Sequence, residues 1–105
     1  MPSGMLELLL RPNAKRDLAG IWRYTCKKWS RAQADRYLSS LTAEIERLRR
    51  SPSLGRPVSN VQAPFLSRSC GSHVIFFLIE GDRLDVVRIL HAQMDFVAHL
   101  ASNDS

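Results

Sequence analysis

The chain is short of most features that would mark a dedicated chemistry. It has two cysteines, Cys26 and Cys70, both set in apolar patterns and without metal-type spacing. That excludes a disulfide framework and points to buried free thiols in a reducing, cytosolic compartment. No apolar run approaches the roughly 20 residues that span a bilayer, and Leu8–Leu10 is too short for a signal peptide. There is no glycine-rich phosphate loop, no nucleophile elbow and no paired-carboxylate motif. Asp and Glu are scattered, so carboxylate-driven hydrolysis has no support. Lysine is scarce, at Lys15, Lys27 and Lys28, and the only tyrosines are Tyr24 and Tyr37.

What is present is arginine, and it sets the formal net charge of +5 over 105 residues. Arginine suits bidentate pairing with carboxylate or phosphate, so nucleic acid and an acidic protein are both open as partners. A chain of this length reads as one domain that buries roughly two-thirds of its unfolded surface.

Periodicity orders the chain. Met5–Arg11 reads as a short strand covered on both faces, and Pro12 breaks it. Asn13 is the expected N-cap of a first helix, whose apolar face is Leu18, Ile21, Trp22, Thr25, Cys26 and Trp29. Both tryptophans are expected in the core. Ser30 and Gln33 have capping-box spacing for a second helix, with Ala34, Tyr37, Leu38, Leu41, Ile45 and Leu48 on its apolar face. Arg47, Arg49 and Arg50 crowd its last turn, where cations complement the helix dipole. The two helices abut at Trp29-Ser30, which predicts an antiparallel hairpin. Residues 51–64 carry Pro52, Gly55, Pro57, Asn60 and Pro64 and read as a loop. Phe65–Cys70 begins a sheet. Val74–Ile79 and Leu84–Leu90 follow as a hairpin turning at Gly81-Asp82, and the unbroken apolar run marks a strand covered on both faces. Residues 94–101 form a short final helix, and residues 1–4 and 102–105 are expected to be disordered. The order predicts a two-layer α+β fold: an N-terminal strand, a helical hairpin, a three-stranded antiparallel meander and a short C-terminal helix.

Three constellations could carry chemistry. His73 opens one hairpin strand and His91 closes the other, so they fall at one end of the sheet. With Arg68 and Arg88 they would suit a ribonuclease: a base, an acid and cations for the phosphate. Hydrogen-bonded strand-end histidines are the plainer alternative. His91, Asp95 and His99 would make a metal-binding stripe only on a continuous helix. Arg47, Arg49, Arg50 and Arg56 form a basic cluster, read as either a solvated patch or a site for acidic side chains and phosphates.

Two blocks carry a family resemblance. The first is Pro12-Asn13-Ala14-Lys15-Arg16-Asp17-Leu18-Ala19-Gly20-Ile21-Trp22-Arg23-Tyr24-Thr25, then Trp29-Ser30-Arg31-Ala32-Gln33-Ala34 and Arg36-Tyr37. The second is Pro52-Ser53-Leu54-Gly55-Arg56-Pro57, His73-Val74-Ile75-Phe76-Phe77, Val87-Arg88-Ile89-Leu90-His91 and Met94-Asp95. In this order they resemble the ParE toxins of type II toxin–antitoxin systems, relatives of the RelE family. The resemblance implies a RelE-like fold and inhibition of DNA gyrase without enzymatic activity. It also implies a hetero-oligomer with a ParD-like antitoxin, which alone meets promoter DNA. No cofactor, metal or membrane is implied. Arg56, Arg68, Arg88 and His91 are the candidate partner-binding residues. The remaining readings are a RelE-like mRNA endoribonuclease using Arg68, Arg88, His91 and His73, and a degenerate, non-toxic binding module. Ser30 and Phe77 stand where family members often have Gly and Tyr, and the absence of a C-terminal tyrosine counts against mRNA cleavage.

Overall fold

In the computed structural model, which describes residues 4–102, the apolar hairpin forms the middle of a five-stranded sheet. Strands β4 (His73–Glu80) and β5 (Arg83–His91) pair antiparallel around the Gly81-Asp82 turn. β3 (Leu66–Cys70) pairs antiparallel with β4, and the two-residue β2 (Arg56–Pro57) adds to β3. β1 (Glu7–Leu10) lies parallel to β5, giving the order β1-β5-β4-β3-β2. One irregularity interrupts the central pair. Phe76 faces Arg88 and Phe77 faces Val86, so Val87 is an extra residue in a bulge.

Helices α1 (Pro12–Lys28) and α2 (Arg31–Arg50) form the expected hairpin on one face. Their apolar stripes enclose Leu41, Ile45 and Leu48 against Ile75, Phe77, Leu84, Val86 and Ile89. The opposite face carries a second cluster of Phe65, Phe76, Val87, Leu90 and Phe96. There α3 (Phe96–Ser102) lays Phe96 flat on Phe76, with ring centroids 3.9 Å apart. The double cover expected of Val74–Ile79 is therefore present.

Several expectations give way to local physics. Arg11, not Asn13, is the N-cap of α1, with extended backbone and no side-chain cap. Pro12 takes the first helical position, where its missing N–H costs nothing, and the Asn13 amide oxygen accepts from Arg16 instead. Ser30 does cap α2, its Oγ accepting the Gln33 N–H at 3.0 Å. The Gln33 side chain bonds Arg36, so only half of the capping box forms. Trp29 is not core. α1 ends at Lys28, and the Trp29 ring lies beyond it, 69% exposed. Trp22 is half-buried and donates its indole N–H to Asp35 across the hairpin. Both thiols are half-buried rather than enclosed. β1 is an edge strand, with Glu7 and Leu9 exposed, because only β5 flanks it.

The proline-rich loop is pinned by a 3₁₀ turn at Pro52–Leu54 and by β2. Gly55 is required there, since a Cβ would come within 2.5 Å of the Phe77 ring. Phe77 is itself wholly buried, which accounts for a residue without a hydroxyl at that place. Asp85 is the one buried charged residue among those described. Arg11 grips it through Nε at 2.9 Å and Nη2 at 2.6 Å, tying the start of α1 to β5. The expected disordered ends fall outside the described residues at 1–3 and 103–105; Gly4 makes a bend and Ser102 closes α3.

Candidate functional site

Hairpin register decides which candidate residues meet. His73 and His91 are direct cross-strand partners, and their rings sit edge to face at 5.4 Å between centroids. A tyrosine joins them from α2. The Tyr37 hydroxyl accepts the Ser72 N–H at 3.0 Å and lies 2.6 Å from Nδ1 of His73. The Tyr37 hydroxyl and Nδ1 of His73 thus form one hydrogen bond. The Gln93 N–H donates to Nδ1 of His91 at 3.2 Å, which leaves the proton of a neutral His91 ring on Nε2. Burial and the neighbouring His91 hold the His73 imidazole below the usual histidine range. Desolvation pushes the Tyr37 phenol up, away from ionisation at neutral pH. The turn keeps this contact close. Gly71 has φ +59°, and a Cβ there would lie 2.8 Å from the Tyr37 ring.

Arg88 completes one wall. It forms a two-pronged ion pair with Asp17 of α1, Nε to Oδ2 at 2.8 Å and Nη2 to Oδ1 at 2.9 Å. Asp17 Oδ2 also accepts the Ile89 N–H at 2.8 Å. These hydrogen bonds raise the Arg88 pKa and fix its charge. Its third nitrogen, Nη1, is buried and has no hydrogen-bond partner among the described residues. Arg88 borders a cleft of about 430 Å³ between α1 and the end of β5, with Ile21, Tyr24, Leu90, His91 and Met94 supplying much of its lining. The cleft has the size and apolar character of a binding site, with an orphan donor at its side.

The remaining candidates lie elsewhere. Arg68 is on β3 and gives Nε to Glu44 of α2 at 2.7 Å. With Arg56, Ser67 and Ser69 it lines a separate polar hollow of about 360 Å³. The basic cluster is likewise divided: Arg47 pairs with Glu44, and Arg49 pairs with Glu46 and the Leu6 carbonyl. Arg50 and Arg56 are exposed. The metal stripe does not form, because His91 ends a strand while Asp95 spends its carboxylate on the Val97 N–H at the start of α3. The structure thus unites His73, His91 and Arg88, and separates Arg68 and Arg56 from them. Tyr37, Asp17 and Glu44 were missing from the sequence-based site. Tyr37 and Asp17 do lie inside the first family-like block. Among the described residues, no helix is long and apolar enough to cross a membrane.

Comparison with known proteins adds an independent line. The profile of the family described as "ParE toxin of type II toxin-antitoxin system, parDE" matches residues 8–96. Toxin ParE1 of Caulobacter vibrioides is 38% identical over 91 residues, covering 87% of this chain and 94% of its own length. A solved chain of the chromosomal ParDE TA system from P. aeruginosa superposes with a TM-score of 0.75 at 15% identity, covering 87% of this chain and 100% of its own. A chain of the toxin–antitoxin complex RelBE2 from Mycobacterium tuberculosis gives a TM-score of 0.63 at 20% identity, covering 83% of this chain and 98% of its own. The two structural likenesses bear on the fold alone. Family profile and relative both span most of the sequence, and the chain belongs to the ParE toxin family of type II toxin–antitoxin systems.

Proposed function

We propose that the chain acts in the cytoplasm by binding and inhibiting DNA gyrase, without enzymatic activity, until a ParD-like antitoxin captures it. The observation that carries this reading is the family match across residues 8–96. The charge arrangement supports it. A phosphoryl-transfer site needs cations whose charge is available to the reacting phosphate. Here Arg88 is already neutralised by Asp17 and Arg68 by Glu44. The test is supercoiling by purified gyrase with the protein added. Lost supercoiling with trapped cleavage complexes is expected; full supercoiling and no trapped complex would end the proposal.

The antitoxin has a physical place to bind. An acidic amphipathic segment would bury apolar side chains in the cleft beside Ile21, Leu90 and Met94. Its carboxylates would meet Arg56, Arg68, Arg88 or His91. The assembly is a hetero-oligomer, and promoter DNA is reached only through the antitoxin.

The Tyr37–His73–His91 group favours a second reading, an mRNA endoribonuclease. A tyrosine does reach the histidines, from α2 rather than from the C-terminal end. Primer extension on mRNA after induction separates the two. Codon-register cuts that vanish with His91→Ala would establish the nuclease, and an uncut message would exclude it.

A further inference from the structure

The two most exposed large apolar side chains in the described structure are Trp29 at 69% and Tyr24 at 63%. They are not scattered. Both line one cleft of about 390 Å³ at the junction of α1 and α2, which runs from Lys28 and Gln33 to His73 and His91. Neither ring is buried in the core. The Trp29 backbone N–H closes the helix on the Thr25 carbonyl at 2.8 Å, a contact any residue but proline would make.

Lys28 is the cation that lines this cleft. Lys28 reaches the Tyr24 hydroxyl at 3.3 Å and stands 5.7 Å from the ring centroid. Arg23, Lys27 and Arg31 are exposed and enter no salt bridge among the described residues. The acid in this stretch, Asp35, accepts from the Trp22 indole, and no acidic side chain among the described residues lines the cleft. An acidic peptide would answer the cations but leave two flat aromatic faces in water. A strand of unpaired nucleotides answers both, because every base has a face to stack and every linkage a charge to neutralise. Gln33 and the imidazole N–H groups supply donors for base edges or phosphate oxygens.

We infer that the α1–α2 junction binds single-stranded nucleic acid, with Trp29 and Tyr24 stacking on bases and Lys27, Lys28 and Arg31 at the phosphates. The site adjoins the carboxylate-seeking cleft beside Arg88 and shares Tyr24, His73 and His91 with it. Its test contains no gyrase and no antitoxin, so its failure leaves the proposed function standing.

The full chain is titrated into fluorescein-labelled oligothymidylate and oligouridylate, followed by anisotropy, with tryptophan emission of the unlabelled pair read in parallel. Binding with quenching is expected, and the tighter of the two oligomers identifies DNA or RNA as the source. Trp29→Ala should raise Kd about fivefold or more, the loss of one stacked base. Trp29→Phe keeps a ring and should retain most of the affinity. Lys28→Gln and Arg31→Gln should each flatten the log Kd versus log salt slope by about 0.7. The inference is overturned if neither oligomer binds. It also falls if Trp29→Ala changes Kd by less than about twofold, within the scatter of a lost non-stacking contact. Displacement of the oligomer by polyglutamate as readily as by unlabelled oligothymidylate would overturn it too, in favour of an acidic peptide. The Trp29 side chain is exposed, so its variants should keep the wild-type thermal midpoint. If Trp29→Ala loses stability, the Trp29→Phe, Lys28→Gln and Arg31→Gln variants decide.

Discussion

On the face under the helical hairpin, Leu41, Leu48, Ile75, Phe77, Leu84 and Val86 are wholly buried, whereas on the opposite face Phe65, Phe76, Val87, Leu90 and Phe96 keep between 3% and 9% exposure. The first face is closed by helices of 17 and 20 residues, joined with scarcely a linker. The second is closed by Val58 and Val61 of the proline-rich loop and by a helix of seven residues. So short a helix has little stability of its own and depends on where Phe96 docks. The hairpin face holds the fold together. The other is finished by a short piece docked through Phe96.

That contrast can be broken by experiment. Phe77→Ala should cost about 4 kcal/mol, a large part of the total for a small domain, and is measured by urea unfolding. Arg11→Met comes next. It strands the Asp85 carboxylate, 1% exposed, without its partner, although Arg11 itself is 41% exposed. We expect a loss of about 3 kcal/mol in urea unfolding, the low end for a broken buried pair. Asp85→Ala should cost less, since Arg11 can turn to water; the reverse ranking would show that Asp85 is held by something other than charge. Phe96→Ala should cost only about 2 kcal/mol, because undocking of α3 caps the penalty. Hydrogen exchange should quicken in α3 while β4 and β5 stay protected. Equal loss of protection in the central strands would abolish the distinction between the faces.

The smallest effect is in pH. Burial and His91 depress the His73 pKa in the folded state. The unfolded chain therefore takes up its proton first, and stability falls as pH drops below the ordinary histidine value of about 6.5. Above that value the contribution is fully present. His73→Gln should flatten this limb of a thermal-midpoint profile between neutral and mildly acid pH.

Local pattern revealed much of this molecule and long-range contact much less. Three- and four-residue spacing located both long helices, and strand arithmetic brought His73 opposite His91. β1 was placed in the sheet but given two covered faces. An apolar run of three residues reads alike at an edge and at a centre, and its parallel partner lies more than seventy positions away. Trp29 kept the seven-residue spacing from Trp22, yet the helix stops one residue short of it. The site was half legible for the same reason. Tyr37 meets His73 across 36 positions and Arg88 meets Asp17 across 71, and no periodicity links such residues. The family-like blocks held Asp17 and Tyr37 without indicating what each touches.

Val87, the extra residue opposite Phe76 and Phe77, makes β5 two strands in one frame. Ahead of it, Leu84 and Val86 point under the helices; after it, Ile89 does so and Leu90 goes to the other side. Were β5 to pair regularly with Val87 retained, everything downstream would change face, sending Ile89 out and turning His91 away from His73. A single codon deletion at Val87 would instead restore plain alternation, keeping Ile89 under the helices and His91 opposite His73 and costing only one apolar side chain of the second cluster.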